Sequence, residues 1–327
     1  MPFNNSCIAN VIVFLIFAIW SAEQAKAREP QPEPAITAIL STFDRYPIVE
    51  LAESQHAVTQ FHAFYRSLIT NPSFVAKVND VVIEFGNSLY QPILDRYILK
   101  GEDVPFAELS KVWRSCPHNF AWEGPVYPEF LRAVHDMNRK LPENRRLRLL
   151  AGDEPIDWPK IQTHEQWKKF DDNNRNRSFA RVIDQEVLRK HRKALVIMGA
   201  NHLTKSGDRN GMDDTTTLVE AKHPGSTYVV FLLSKDDPRM ANWTAPAFLP
   251  IHGSWPEQSR DKPDADAVIY VAPQRSLTLA YMNLDWNSYD QAYLNEVDRR
   301  HRIIHGCSFN LAARKTNLDP YKGWPCH

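Results

Sequence analysis

The sequence predicts an α/β fold, a central mixed and largely parallel sheet flanked by helices, on three observations. Short apolar runs recur at Pro47–Ala52, Asp80–Ile83, Leu147–Leu150 and Ala194–Gly199, each bounded by loop residues and short enough for a strand buried on both faces. Between them lie stretches with apolar residues at helical spacing, so strands and helices alternate. At or just beyond each run stands a residue that titrates or binds metal: Glu53 with His56, then Glu84, Asp153 and His202. Open α/β sheets bind ligands beyond the carboxyl ends of their strands, so these residues mark a candidate site.

Taken in order, the chain opens with an apolar stretch from Val11 to Trp20, followed by Ala25-Lys26-Ala27. Ten apolar residues are too few to span a bilayer, and the small-x-small pattern predicts a secretory signal peptide over residues 1–27, hence a periplasmic or secreted protein with no stable membrane span after cleavage. The first ten residues carry no Lys or Arg, which leaves an uncleaved membrane anchor as the alternative, and no cysteine stands just after the apolar run, so a lipoprotein is not indicated. Residues 28–44 read as a Pro-rich spacer around Glu29-Pro-Gln-Pro-Glu-Pro34. Residues 45–327 are expected to form a single α/β domain.

Within that domain the first strand leads into a helix over about 56–70, with Val58, Phe61, Phe64, Tyr65 and Leu68 on one face. A second strand ending at Glu84 precedes a helix over about 88–99. Residues 111–127, dense in Trp, Pro and His, read as a loop, and 128–140 as a helix with Phe130, Leu131, Val134 and Met137 on one side. The strand at 147–152 is followed by a mostly helical polar stretch, 163–191. After the strand ending at Gly199, further strands fall at Thr227–Leu233 and Ala267–Val271, rich in β-branched and aromatic residues.

The 39 basic and 39 acidic residues give zero formal charge, which argues against a nucleic-acid partner. Of the cysteines beyond the leader, Cys307 and Cys326 are the expected disulfide pair, closing a short loop, with Cys116 left over. The sequence has no H-E-x-x-H, C-x-x-C-H or Walker A motif, and His252-Gly-Ser254 lacks the flanking pattern of a nucleophile elbow. The Gly/Asp-rich loop 206–214 does not match EF-hand spacing.

Glu53 and His56 stand three residues apart. If a helix starts there, both lie on one face at its N-terminus, where the dipole favours a neutral imidazole and the carboxylate fixes its tautomer, an arrangement suited to a general base. Glu84 is the first ionisable group after an apolar strand, a costly placement unless it is paired, ligating or in a cleft. His202 follows a strand with glycine at its exit. Asp153 is a site residue or a turn residue, and Arg66 binds an anionic oxygen or pairs with a surface carboxylate. His62, six residues after His56, is turned away from it on a helix, so the two are not expected to share a metal.

In their order, Val49-Glu-Leu-Ala-Glu53-Ser-Gln-His56, the helix carrying Arg66, Val82-Ile-Glu84, Phe130–Asn138, Ala151-Gly-Asp153 and Gly199-Ala-Asn-His202 resemble the erythromycin esterase-like branch of a superfamily that also holds Tiki-type metalloproteases and haem-binding ChaN-like proteins. The resemblance spans about Tyr46 to Leu203. It implies that Glu53 and His56 match a Gly-Glu-x-x-His element with the histidine as base, that Glu84 matches the acid ending the second strand, and that His202 matches the distal histidine. Ala52 stands where the motif usually has glycine, and the stretch between Asp153 and His202 is short for a macrolide-binding insertion.

The expected function is a hydrolase acting on a small-molecule ester, lactone or amide. His56, oriented by Glu53, activates water; Arg66 or His202 stabilises the oxyanion, and Glu84 completes the network. A variant places one divalent metal ion among Glu53, His56, Glu84 and His202. The alternative is a haem or small-molecule binding protein, its pocket lined by aromatics and histidines of 113–127.

Overall fold

A computed structural model describes residues 31–117, 122–170, 174–207, 213–240, 242–252, 262–284 and 288–309. The expected signal peptide lies outside them, and so do His118 and Cys326, with which the Cys307–Cys326 pairing would be made.

Among the described residues eight strands form one sheet in the order β1-β7-β8-β6-β2-β5-β3-β4: β1 (Glu33–Pro34), β2 (Ile48–Glu53), β3 (Asp80–Asn87), β4 (Arg148–Asp153), β5 (Ala194–Gly199), β6 (Thr227–Leu233), β7 (Ala247–Pro250) and β8 (Ala267–Tyr270). From β8 to β4 every neighbouring pair is parallel, whereas β7 is antiparallel to both β8 and β1. The sheet is therefore mixed and largely parallel, as the sequence predicts. The helices of eight or more residues are α1 (Ala35–Thr42), α2 (Thr59–Ile69), α3 (Gln91–Ile98), α4 (Val126–Asn138), α5 (Asn174–Val182), α6 (Thr215–Lys222) and α7 (Gln291–His305).

Alternation along the strands builds two apolar layers. Val49, Leu51, Val81, Ile83, Leu195 and Ile197 pack with Phe61, Tyr65 and Leu68 of α2 and Phe130 and Val134 of α4. Ile48, Ala52, Val82, Val196 and Met198 face the other way, toward Phe179 of α5 and Val219 of α6. Burial on both faces is why the strands read as continuous apolar runs rather than alternating ones.

Two expectations are corrected here. The spacer ends before residue 33: Glu33 and Pro34 pair with β7, and α1 puts Ala35, Ala38, Ile39 and, just beyond it, Phe43 into the core. The helix after β2 begins at Thr59, not near His56. The residues between form a turn in which Ala57 adopts φ +59°, and a distant segment clamps it: Ala280 N donates to Ala57 O at 2.8 Å and Thr59 N to Thr278 O at 2.8 Å.

Candidate active site

The four strands β2-β5-β3-β4, which end the sheet at the β4 edge, deliver their carboxyl ends side by side. Glu53 pairs in register with Gly199, and Ile83, the residue before Glu84, pairs with Ile197. The register between β3 and β4 shifts between Ile83 and Asn87, a bulge of the kind that re-aims a side chain. Glu84 consequently turns one oxygen toward β5, where Gly199 N donates to its Oε2 at 2.7 Å.

His56 reaches this edge from the turn after β2. Its Nδ1 lies 2.8 Å from Glu53 Oε2, and Tyr65 donates its hydroxyl to Glu53 Oε1 at 3.0 Å. The Glu53–His56 pair is thus formed, though through a turn rather than along a helix. His56 Nε2 sits 3.9 Å from Glu84 Oε2, and the ring packs against Trp122 at 4.8 Å between centroids. Gly199 permits this approach, since an ideal Cβ there would stand 2.8 Å from His56 Cε1 and 2.9 Å from Nε2.

The other half of the site is organised by Arg175 of α5. Its Nε and Nη2 bond Asp153 at 3.0 and 3.1 Å, Nη2 also reaches Glu84 Oε1 at 3.1 Å, and Nη1 lies 3.4 Å from His202 Nε2. His202 Nδ1 is 2.6 Å from Asn176 Oδ1, and its Nε2 is 3.3 Å from Glu84 Oε1. The carboxylates form a buried floor: the Glu53, Glu84 and Asp153 side chains are 4%, 3% and 0% exposed, against 19%, 17% and 18% for His56, Arg175 and His202. The nitrogen groups are the ones that face solvent.

Electrostatics follow from this layering. Burial disfavours a charged Glu84, but His56, His202 and Arg175 outweigh it and hold the carboxyl well below the ordinary 4.5. Burial likewise opposes the His56 imidazolium, but Glu84 and Glu53 prevail and raise its pKa above 6.5. The expectation that a helix N-terminus keeps His56 neutral is therefore corrected. His56 precedes the helix, and the neighbouring carboxylates govern its proton.

Five of the six expected site residues, Glu53, His56, Glu84, Asp153 and His202, converge. Arg66 does not; it pairs with Glu129 of α4 at 3.2 Å, with both side chains substantially exposed. The cation in the site is Arg175, which sequence reasoning passed over because it lies in a polar helix among other Arg and Asn residues. Tyr65, expected only on the apolar face of a helix, and Trp122, within the expected loop 111–127, are two further residues that touch the Glu53–His56 pair.

For the expected divalent ion among Glu53, His56, Glu84 and His202, the described residues show no group of three or more His, Cys, Asp or Glu placed to hold a metal, and Glu84 of that set already accepts from the Arg175 guanidinium. In the aromatic segment, Trp122 and Tyr127 are buried against His56, His62 and Phe85. A separate cavity of about 550 Å³, lined by Phe106, Trp113, Arg114, Glu123, Tyr289 and Tyr293 among others, includes none of the strand-end groups.

No family model and no curated protein matches this sequence. Its fold is similar to known structures. The type III effector HopBA1 aligns at 9% identity over 76% of this chain and 99% of that one, with a TM-score of 0.46. A haem-bound ChaN of Campylobacter jejuni aligns at 14% over 71% and 90% (TM-score 0.42), and the erythromycin esterase EreC at 13% over 72% and 79% (TM-score 0.44). Among the described residues no helix is long and apolar enough to cross a membrane.

Proposed function

We propose that the protein is a secreted or periplasmic hydrolase that uses His56 as a general base on water to cleave a small-molecule ester, lactone or amide. The observation that carries this reading is the His56 imidazole, with Nδ1 fixed on Glu53 at 2.8 Å, in a row of partly exposed groups with Arg175 and His202 over a carboxylate floor. Among the described residues Nε2 has no hydrogen bond, its nearest ionic neighbour being Glu84 at 3.9 Å.

In this scheme a water between Nε2 and the substrate gives up a proton to His56 as its oxygen bonds to the carbonyl carbon. The carbonyl electron pair moves onto its oxygen, where Arg175 and His202 supply positive charge and an N–H donor, a role expected of Arg66 or His202. Collapse reforms the carbonyl and breaks the bond to the leaving group, which takes the proton back from His56. Glu53 holds the imidazole orientation and compensates the imidazolium; Glu84 and Asp153 hold Arg175.

The test is a screen of ester, lactone and amide substrates with the wild type and His56→Ala. Loss of turnover by a factor of at least about 100 in a variant with unchanged melting temperature is expected, a typical contribution of a positioned base. Full activity in His56→Ala would refute the assignment.

A further inference from the structure

His62 lies one helical turn into α2 and plays no part in the scheme above. Its side chain is 1% exposed and enclosed by Tyr65, Phe85 and Tyr127, with ring centroids at 5.3, 6.4 and 5.0 Å. Neither ring nitrogen has a hydrogen-bond partner among the described residues. Burial pushes its pKa down to about 4 against the pull of Glu53, with Arg66 and His56 pushing the same way as burial. The ring is therefore neutral near pH 7 and carries one N–H. A buried polar nitrogen without a partner is unfavourable, and phenylalanine would satisfy this aromatic cage without it.

One acceptor is within reach. His62 Nε2 stands 3.8 Å from Glu53 Oε1, the oxygen that also receives the Tyr65 hydroxyl, while the other oxygen of the same carboxylate holds His56. That gap is slightly longer than a hydrogen bond and closes with a shift of less than about 1 Å.

We propose that His62 is a positioning residue for the base pair: its Nε2–H closes onto Glu53 Oε1 beside the Tyr65 hydroxyl, so that the oxygen turned away from His56 is held by two donors while His56 carries the abstracted proton. The inference rests on the general-base reading for its catalytic consequence, but the contact itself does not. No covalent step is involved, and the proton stays on His62. The expectation that His62 is turned away from His56 assumed both on one helix; with His56 in the turn before α2, the two histidines approach opposite oxygens of one carboxylate.

The test has two arms. In histidine-labelled protein at neutral pH, an imidazole N–H bonded to a carboxylate gives a downfield proton resonance protected from water exchange. The expected result is such a resonance for His62 in the wild type, moved upfield in Glu53→Gln. An unshifted, unprotected His62 N–H in both proteins overturns the contact whether or not the protein is a hydrolase. In the kinetic arm, His62→Phe is expected to lower kcat on the order of tenfold with KM unchanged, with no fall in melting temperature and with partial recovery in His62→Gln. Wild-type kcat in a folded His62→Phe overturns the positioning role. If no substrate is found for the wild type, the hydrolase reading fails, and the resonance alone decides the contact.

Discussion

At His56 two opposing influences meet on one proton. Burial favours the neutral ring, and the Glu84 and Glu53 carboxylates favour the charged one and win. A base must be neutral to work, so raising its pKa narrows the useful range from the acid side. The rate should fall with decreasing pH along a limb whose midpoint lies above 6.5, and Glu84→Gln, which removes the largest raising charge, should move that midpoint down. A limb at or below 6.5 in the wild type would contradict the charge arrangement. The stability linkage has the opposite sense for the two groups. The raised His56 contributes stability that is full below 6.5 and lost as pH rises through its folded value. The lowered Glu84 contributes stability that is full above 4.5 and lost as pH falls toward its folded value. Much of this site was legible from single residues, because an ionisable group ending an apolar strand has few places to go. Arg175 was not legible, since nothing in residues 163–191 distinguishes it from other arginines of the same helical stretch. Of the two readings of Arg66 the structure shows the carboxylate pair, and the sequence leaves them open because its position in α2 says nothing about whether Glu129 of α4 lies beside it.

Among the elements, β2 shows how much one strand can carry. Its residues alternate between the layer of α2, which receives Val49, Leu51 and Glu53, and the layer of α6, which receives Ile48, Glu50 and Ala52. Glu50 is fully buried on that second side, accepting one hydrogen bond from Thr216 Oγ1 at 2.7 Å, with Oε1 unpartnered. Burial pushes its pKa up to about 8, with the Asp214, Glu220 and Asp266 carboxylates adding to the shift. The folded protein therefore keeps a proton on Glu50 that the unfolded chain releases, and this residue's contribution to stability declines as pH rises from about 4.5 to about 8. Between pH 4.5 and 7 that decline is roughly 3 kcal/mol at about 1.4 kcal/mol per unit. Glu50→Gln, which stays neutral in both states, should unfold at higher denaturant near pH 7 and match the wild type near pH 4.5. Equal midpoints at both pH values would mean that Glu50 is ionised and paired in the folded state. The same strand explains what the element pattern concealed: the 3.6-residue periodicity of α2 begins to read at Val58, but its start is set by the turn that Thr278 and Ala280 hold from far along the chain. No local signal encodes that clamp.

For the molecule as a whole, the parallel core from β8 to β4 was legible because double-sided burial writes continuous apolar runs, while the antiparallel edge was not. Strands of two and four residues, β1 and β7, are too short to show a period, and α1 follows a Pro-rich segment without a side-chain cap. The structural boundary of the domain therefore lies at or before residue 33 rather than at 45, and this has a measurable consequence. Residues 33–43 supply the β1–β7 pairing, the fully buried side chains of Ile39 and Phe43, and carbonyls of Leu40 and Phe43 that accept from Lys77 at 3.0 Å and Lys193 at 2.5 Å. Burying an isoleucine and a phenylalanine is worth about 1.5–3 kcal/mol each, so their loss alone costs roughly 3–6 kcal/mol against a typical total of about 5–15 kcal/mol. A chain shortened to begin at Arg45 should accordingly be less stable than one beginning at Gln31 by about that amount in denaturant unfolding, and should expose Phe74, the partner of Phe43 at 6.2 Å between ring centroids. The strand-end groups lie at the ends of β2, β5, β3 and β4, the half of the sheet away from β1, so whatever fraction of the shortened chain remains folded should keep the Glu53–His56 contact. Equal stability of the two chains would mean that the domain begins where the spacer was first expected to end.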